Sequence, residues 1–341
     1  LAMLRERIAG TRALPVNFGE LAERQSLPAE RLLLERVEEA LAVFARLTYS
    51  DQQRIREVLA TITSGQELDL RRFHGATATG IAALQTEAEL DDYTYRVAGC
   101  VGEFWTRITR GHLFPATPLD DAKFLHDGVR FGQGLQLVNI LRDLPRDLRQ
   151  GRCYVPQERL HALGLNAADL LDPRSEPAFR ALYHAYLDKA GAHLAAGWEY
   201  TNTIPKRFVR LRLACAWPVL IGHATLGKLR AANPLDPAHR ANRTLERILG
   251  ACARTGGMTY DDLLDLAEPL GGKVLPHVLG EPVETLEPPR DRRQQLSEGR
   301  FDILAGCHQL HVRAHLVAFP QIGERAKELV NHGYVVTMSI L

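Results

Sequence analysis

No run in this 341-residue sequence is apolar for long enough to cross a bilayer as a helix. Cysteine is scarce. Cys100, Cys153, Cys215, Cys252 and Cys307 are scattered and form no CxxC pair. This argues against a zinc site and against a disulfide framework, and predicts a reduced, cytosolic setting. Charge of one sign is also missing. A formal net charge of +1 gives no global field for nucleic acid. There is no P-loop, no dinucleotide glycine fingerprint after a strand, no nucleophile elbow and no repeat of fixed period. Strand-like stretches are few, so the class is all-α. What remains is 45% hydrophobic and 24% charged, an ordinary globular balance in a chain long enough for one or two domains.

Helical patterning starts early. LAMLRERIAG ends on a glycine suited to a C-cap, and residues 28–47 open on Pro28 and continue in strong helix formers. Residues 51–73 carry Ile55, Val58, Leu59 and Ile62 on one face, with Asp51 as the candidate N-cap. Glu67 and Asp69 are two apart and share no helical face, which rules them out as a metal pair. Residues 87–110 form a helix that Asp91 or Asp92 would cap or begin. Its middle holds Ala98, Gly99 and Gly102, where glycine costs about 1 kcal/mol against alanine. Such a cost points to close approach by another backbone or a ligand. Tyr93, Val97, Val101 and Trp105 follow one another at one-turn spacing, an aromatic and aliphatic row suited to core or to cavity.

Residues 118–150 continue as helix, with Pro145 predicting a kink or an end. GRCYVPQE (151–158) reads as an extended exit. Residues 176–200 are helical, and the strongly apolar 207–232, interrupted at Pro218, is expected at the centre of the bundle. Residues 241–256 and 259–267 look helical, and 281–299 read as linker or disordered surface. The one cysteine and three histidines of CHQLHVRAH (307–315) match no zinc spacing. The domain reading is a helical domain over 1–280 and a partly disordered C-terminal extension over 281–341.

One stretch carries chemistry: GLQLVNILRDLPRDLRQGRCYVP, residues 134–156. Gln136, Asn139, Asp143 and Asp147 lie at offsets 0, 3, 7 and 11, within roughly 80° of one another at about 100° per residue. Leu135, Leu137, Val138, Ile140 and Leu141 make the flanks apolar. Two carboxylates one turn apart suit a hard divalent cation bridging to phosphate. They equally suit a solvated face with intrahelical ion pairs. Spacing alone leaves both open.

YTYRVAGCVG (93–102) followed by QLVNILRDLPRD (136–147) and GRCYVP (151–156) resembles the squalene/phytoene synthases, head-to-head prenyl synthases of the all-α isoprenoid synthase fold. The resemblance covers roughly residues 20–260 and extends to WEYTNTIPKRFVRLRLACAWPVLIGHATL. It implies a helical bundle around a central apolar cavity. It implies that Asp143 and Asp147 hold Mg²⁺ against a substrate diphosphate, with Asn139 assisting the metal and Gln136 lining the substrate site. Arg142 and Arg152 match basic residues near the diphosphates. Tyr93 matches the tyrosine at the centre of the cavity, and Tyr200 one that contacts a diphosphate. On this reading Ala98, Gly99 and Gly102 open room in the cavity, and Tyr93 or Phe104 faces the carbocation.

The implied reaction joins two farnesyl diphosphates through presqualene diphosphate and reduces that intermediate with NADPH to squalene. It would be carried out by a cytoplasmic monomer with at most peripheral membrane contact through its lipid product, and with no nucleic-acid partner. Phytoene or dehydrosqualene synthesis is the alternative within the family. A non-catalytic helical scaffold and a terpene cyclase are the alternatives outside it. One departure stands out. The family's first aspartate-rich motif is absent, and residues 1–20 contain no Asp. The expectation is a chain that begins after that motif and has little or no turnover on its own.

Overall fold

The computed structural model describes residues 2–236. The readings made for residues 241–267, 281–299 and 307–315, and the domain boundary at 281, lie outside these residues. The described residues fall into two compact units, 2–47 with 206–214 and 48–205 with 215–236.

The first unit holds α1 (Ala2–Ala9), α2 (Glu20–Glu23), α3 (Pro28–Glu35) and α4 (Val37–Phe44). Gly10 ends α1 at φ 82°, and the Thr11 N–H reaches back to the Glu6 carbonyl at 2.9 Å, as its position suggests. The helix expected over 28–47 is broken at Arg36, where φ −109° and ψ 22° leave the helical basin. Glu38 ties this unit together: Arg7 Nη2 donates to it at 3.0 Å and the Val16 N–H at 2.8 Å.

The second unit contains α5 (Tyr49–Arg72), β1 (Ala82–Ala83), α6 (Glu87–Thr94), a π-helical turn (Tyr95–Gly99), α7 (Cys100–Leu113), α8 (Asp121–Arg149), β2 (Arg152–Cys153), α9 (Gln157–His161) and α10 (Glu176–Thr203). Helix α11 is Val209–Ala231. Two caps differ from expectation. Thr48 caps α5 and Thr86 caps α6, each accepting an N–H from three residues on. Asp51 is instead buried, its two oxygens 2.9 and 3.0 Å from His112 Nε2.

Helix α8, and not α11, is the element the second unit packs around. On one side it meets α6 and α7 in antiparallel contact. A Cβ on Gly102 would lie 1.9 Å from the Gly128 carbonyl oxygen, and a Cβ on Gly132 2.2 Å from that of Ala98. The small residues of the π turn and the start of α7 therefore serve close packing, Ala98 and Gly102 against α8 backbone and Gly99 against the Tyr95 and Gln133 side chains, and do not open a cavity, which corrects the role expected of Ala98, Gly99 and Gly102. On the other side α10 presses on α8. A Cβ on Gly134 would be 2.9 Å from the Cβ of His193, and one on Gly197 2.6 Å from the Phe131 ring.

Pro145 does not end α8, which runs on to Arg149. A proline has no N–H for the carbonyl four residues back. That carbonyl belongs to Leu141, and the buried Tyr183 hydroxyl of α10 donates to it at 3.1 Å. Likewise α11 continues through Pro218. After α8 the chain turns at Gly151 (φ 83°), where a Cβ would meet the Thr77 nitrogen at 2.4 Å, and enters β2 parallel to β1. The extended exit read over 151–158 is present as far as Pro156; Gln157 and Glu158 already belong to α9.

Two substitutions test this packing. Gly102→Ala improves helix propensity by about 1 kcal/mol but places a methyl group inside the α7–α8 contact. Its expected net effect is a loss of roughly 1–3 kcal/mol in denaturant unfolding. Tyr183→Phe leaves the Leu141 carbonyl without its donor and should cost about 1–3 kcal/mol in the same measurement. Unchanged midpoints would contradict both accounts.

Candidate active site

The C-terminal half of α8 brings its polar stripe beside α6, the end of α5 and the exit strand. Tyr93, at the end of α6, is buried and stacks on Tyr154, with ring centroids 4.7 Å apart and planes at 29°. Its hydroxyl interacts electrostatically with the Tyr154 and Gln136 side chains. Burial pushes the Tyr93 phenol up to about 12, helped by the negative charges of Asp69 and Asp147. Tyr93 thus remains a neutral hydrogen-bonding group across the working pH range.

The π turn explains how Tyr93 reaches this place. Ala98, Gly102 and Thr106 follow one another at four-residue spacing along α8. The extra residue of the π turn breaks that spacing before Ala98, so Tyr93 and Thr94 both turn toward α8, at Gln136 and Gln133. The turn is pinned to α5 through Arg96. Its Nη1 donates to Ser64 Oγ at 2.8 Å and its Nε to both oxygens of Asp92, and a Cβ on Gly65 would touch its Cβ at 2.9 Å.

Asp143 and Asp147 face the same region. Arg142 holds Asp143 in a two-point ion pair, Nε–Oδ1 2.9 Å and Nη2–Oδ2 2.7 Å. The bond to Asp143 keeps the Arg142 guanidinium fully charged. Asp147 has no such partner. Burial first, and then the Asp143 charge one turn away, raise its carboxyl to about 6. The site therefore contains one more carboxylate than its cations neutralise well. Asn139 is buried on the same helix. No group of three or more His, Cys, Asp or Glu able to hold a metal occurs among the described residues. Two carboxylates with an underneutralised charge fit a divalent cation whose remaining oxygens come from a substrate and water, and do not fit an all-protein cage.

Beside Arg152 the exit strand supplies Tyr154, which the sequence reading left without a role. Arg152 and Tyr154 are two apart on extended chain and so share a face. Tyr154 donates to Asp69 Oδ1 at 3.1 Å, and Arg152 Nη1 lies 3.3 Å from Asp69 Oδ2. Phe73 packs its edge on the Tyr154 ring at 5.1 Å and lies under the Arg152 guanidinium at 5.8 Å. The two-residue period of GRCYVP was the available signal for Tyr154. Asp69, more than 80 residues before its partners, had none.

Tyr93, Gln136, Asp143, Asp147, Arg142 and Arg152 are thus gathered with Asp69 and Tyr154. Tyr200 is elsewhere. It is buried flat against Phe124 near the start of α8, with centroids 4.3 Å apart and planes at 2°, and Thr106 donates to its hydroxyl at 3.2 Å. From Phe124 to Asp143 is about 28 Å along the helix at 1.5 Å per residue. Phe104 does not face Tyr93 either. It lines a cavity of about 200 Å³ between α5 and α7 whose wall includes Arg54, Glu57, Glu103 and Arg107, a charged lining unsuited to a carbocation. No helix among the described residues is long and apolar enough to cross a membrane.

The raised Asp147 carboxyl has a stability consequence. Its folded value lies above the unfolded one, so between about pH 4 and pH 6 the native state binds the extra proton. Stability attributable to this group falls as pH rises through that window. Asp147→Asn should stabilise the chain at pH 7.5 by on the order of 2 kcal/mol and have little effect at pH 4. Equal effects at both pH values in thermal unfolding would refute the assignment.

The squalene/phytoene synthase family model matches residues 1–247. A presqualene diphosphate synthase of Rhodopseudomonas palustris is 34% identical over 155 residues, covering 46% of this chain and 50% of that protein. A phytoene synthase of Thermus thermophilus is 39% identical over 116 residues, covering 34% of this chain and 37% of that protein. The chain thus spans half or less of the length of these relatives. A solved structure of TcSQS with the ligand E5700 superposes with a TM-score of 0.55 at 20% identity, over 82% of this chain and 80% of the other, a likeness of fold. With the family pattern running through most of its length, from the first residue past the acidic stripe and the exit strand, the chain belongs to the squalene/phytoene synthase family.

Proposed function

We propose that this chain carries the diphosphate-binding wall of a head-to-head prenyl synthase that joins two farnesyl diphosphates into presqualene diphosphate, with NADPH-dependent conversion to squalene as the final stage. The observation that carries the reading is the underneutralised pair Asp143 and Asp147 beside Arg152 and the neutral tyrosines Tyr93 and Tyr154. Ionising an allylic diphosphate leaves several negative charges on the leaving group and a cation on the prenyl chain. A bound Mg²⁺, held by Asp143 and Asp147 with Asn139 beside them, would supply charge stabilisation to the leaving group.

The chain's own residues do the rest. Arg152 presents a partly exposed guanidinium next to Asp147 and so offers donors to the phosphate oxygens. Arg142 orients Asp143 by its two-point contact. Tyr93 keeps its proton, offers a ring face to positive charge, and is fixed by Gln136 and Tyr154. Nicotinamide would supply hydride to the last stage. The described strands are two residues each and lead into no glycine-rich cradle for a dinucleotide. Phytoene synthesis from a longer substrate is the second reading, favoured by the 39% identity to the Thermus protein.

Two measurements test this. Calorimetry of the 341-residue chain with farnesyl diphosphate should show binding that needs Mg²⁺ and weakens at least about tenfold in the Asp143→Asn, Asp147→Asn double variant. Binding indifferent to Mg²⁺ or to both aspartates would remove the proposal's basis. Product analysis on the natural protein, with farnesyl or geranylgeranyl diphosphate and with or without NADPH, should give presqualene diphosphate from the former and squalene only when NADPH is added. Turnover of geranylgeranyl diphosphate alone would replace the substrate with the longer one.

A further inference from the structure

Asp69 stands at the end of α5, outside the stripe that defines the candidate site, and yet both functional side chains of the exit strand converge on it. One carboxylate oxygen accepts the Tyr154 hydroxyl at 3.1 Å and the other faces Arg152 Nη1 at 3.3 Å. Its side chain is 16% exposed and that of Arg152 38%. Burial raises the Asp69 carboxyl while Tyr154 and Arg152 oppose the rise. A carboxylate kept in such a place needs these two partners, and each of them is thereby held in one orientation.

Tyr154 in turn stacks on Tyr93, and Arg152 lies over Phe73, one turn beyond Asp69 on the same stretch of chain. The end of α5 therefore sets the pose of the exit strand, and the exit strand sets the pose of the central tyrosine. Backbone pairing alone would not do this. The β1–β2 ladder is two residues long, and it fixes Arg152 and Cys153 at the backbone without deciding where the Arg152 and Tyr154 side chains point.

We infer that Asp69 is a positioning residue: its two oxygens separately orient Tyr154 against Tyr93 and Arg152 toward the diphosphate, without touching the substrate. The second half of this statement rests on the diphosphate reading above, and the first half does not. The two oxygens allow the halves to be separated by substitution. Asp69→Asn keeps an acceptor for the Tyr154 hydroxyl and removes the charge that holds Arg152. Asp69→Ala removes both.

The test uses the full 341-residue chain and two readouts. The first needs no ligand: near-ultraviolet circular dichroism of the stacked tyrosines, referenced to Tyr154→Phe. Asp69→Asn should keep the native band, and Asp69→Ala should change it in the same sense as Tyr154→Phe. The second is calorimetric binding of magnesium pyrophosphate. Both Asp69 variants should bind about tenfold more weakly than the unaltered chain, as is usual when the partner of a binding group is removed. Adding Arg152→Ala to Asp69→Asn should weaken binding no further than Arg152→Ala alone. An Asp69→Ala spectrum identical to that of the unaltered chain overturns the inference, as does additivity of Asp69→Asn with Arg152→Ala. If Asp69→Ala does not fold, Asp69→Asn with Tyr154→Phe and Arg152→Ala decides both arms. Failure of the unaltered chain to bind magnesium pyrophosphate counts against the diphosphate reading and against the Arg152 half, while the spectroscopic arm still tests the Tyr154 half.

Discussion

The backbone contact between α7 and α8 is the constraint on which the rest of the second unit depends. Gly102 and Gly128 bring the two helices closer than any side chain would permit, and Ala98 and Gly132 repeat the contact one turn away. Glycine within a helix is unfavourable by itself. Its presence at both partners of one crossing is explained only by what the crossing provides. It sets the height and rotation of α6 and α7 against α8, and with them the position of Tyr93 relative to Gln136. A cavity function for these small residues would have left their Cα atoms facing open space. Gly102 and Gly132 face carbonyl oxygens, and Gly99 faces the Tyr95 and Gln133 side chains.

From that crossing the site follows by local rules. The π turn adds a residue just where α6 passes into α7, which lets the small-residue contacts and the Tyr93 contact point at the same helix. Arg96 on the turn is held by Ser64 and Asp92, so the widened turn is braced from α5. Five residues further along α5, Asp69 reaches the exit strand. Two separate points on α5 thus fix two separate walls around Tyr93. The charges are arranged unevenly within this frame. Asp143 is paired with its neighbour Arg142, whereas at Asp147 burial and the Asp143 charge outweigh the attraction of Arg146 and Arg152. An apo site with such an imbalance is less stable than a neutralised one, and the difference is available to a cationic ligand.

Much of this was readable in the sequence and some of it was not, for definite reasons. The four polar offsets from Gln136 to Asp147 require only a regular helix, and α8 is regular. The glycines of α7 announced a close approach, but their spacing could not say whether backbone or ligand makes it. Asp51 and Asp91 looked like caps because aspartate caps well. Thr48 and Thr86 took the positions, and Asp51 instead pairs with His112 from α7. Tyr200 was matched through the family resemblance in a less distinctive stretch, and it is buried in an aromatic stack with Phe124 at the far end of α8. Asp69 was set aside because it makes no helical pair with Glu67. That reasoning holds for a metal site, and it is silent about partners 83 and 85 residues away.

Pro145 shows how the acidic stripe depends on residues outside it. Asp143 and Asp147 share a face only if the helix keeps its pitch across the proline between them. Proline removes one donor from the ladder and leaves the Leu141 carbonyl open inside the core, where an unpaired acceptor is costly. A free carbonyl would favour bending α8 toward water, and Asp147 would then leave the face of Asp143. Tyr183 prevents this by donating to that carbonyl from α10. The hydroxyl does locally what the missing N–H would have done, and it does so from a helix that is itself pressed on α8 at Gly134 and Gly197. The geometry of the carboxylate pair is therefore set by two neighbours, the α7 crossing on one side and the α10 hydroxyl on the other. The spacing of the aspartates specifies a site because α8 continues unbroken through Pro145, with both neighbours packed on it.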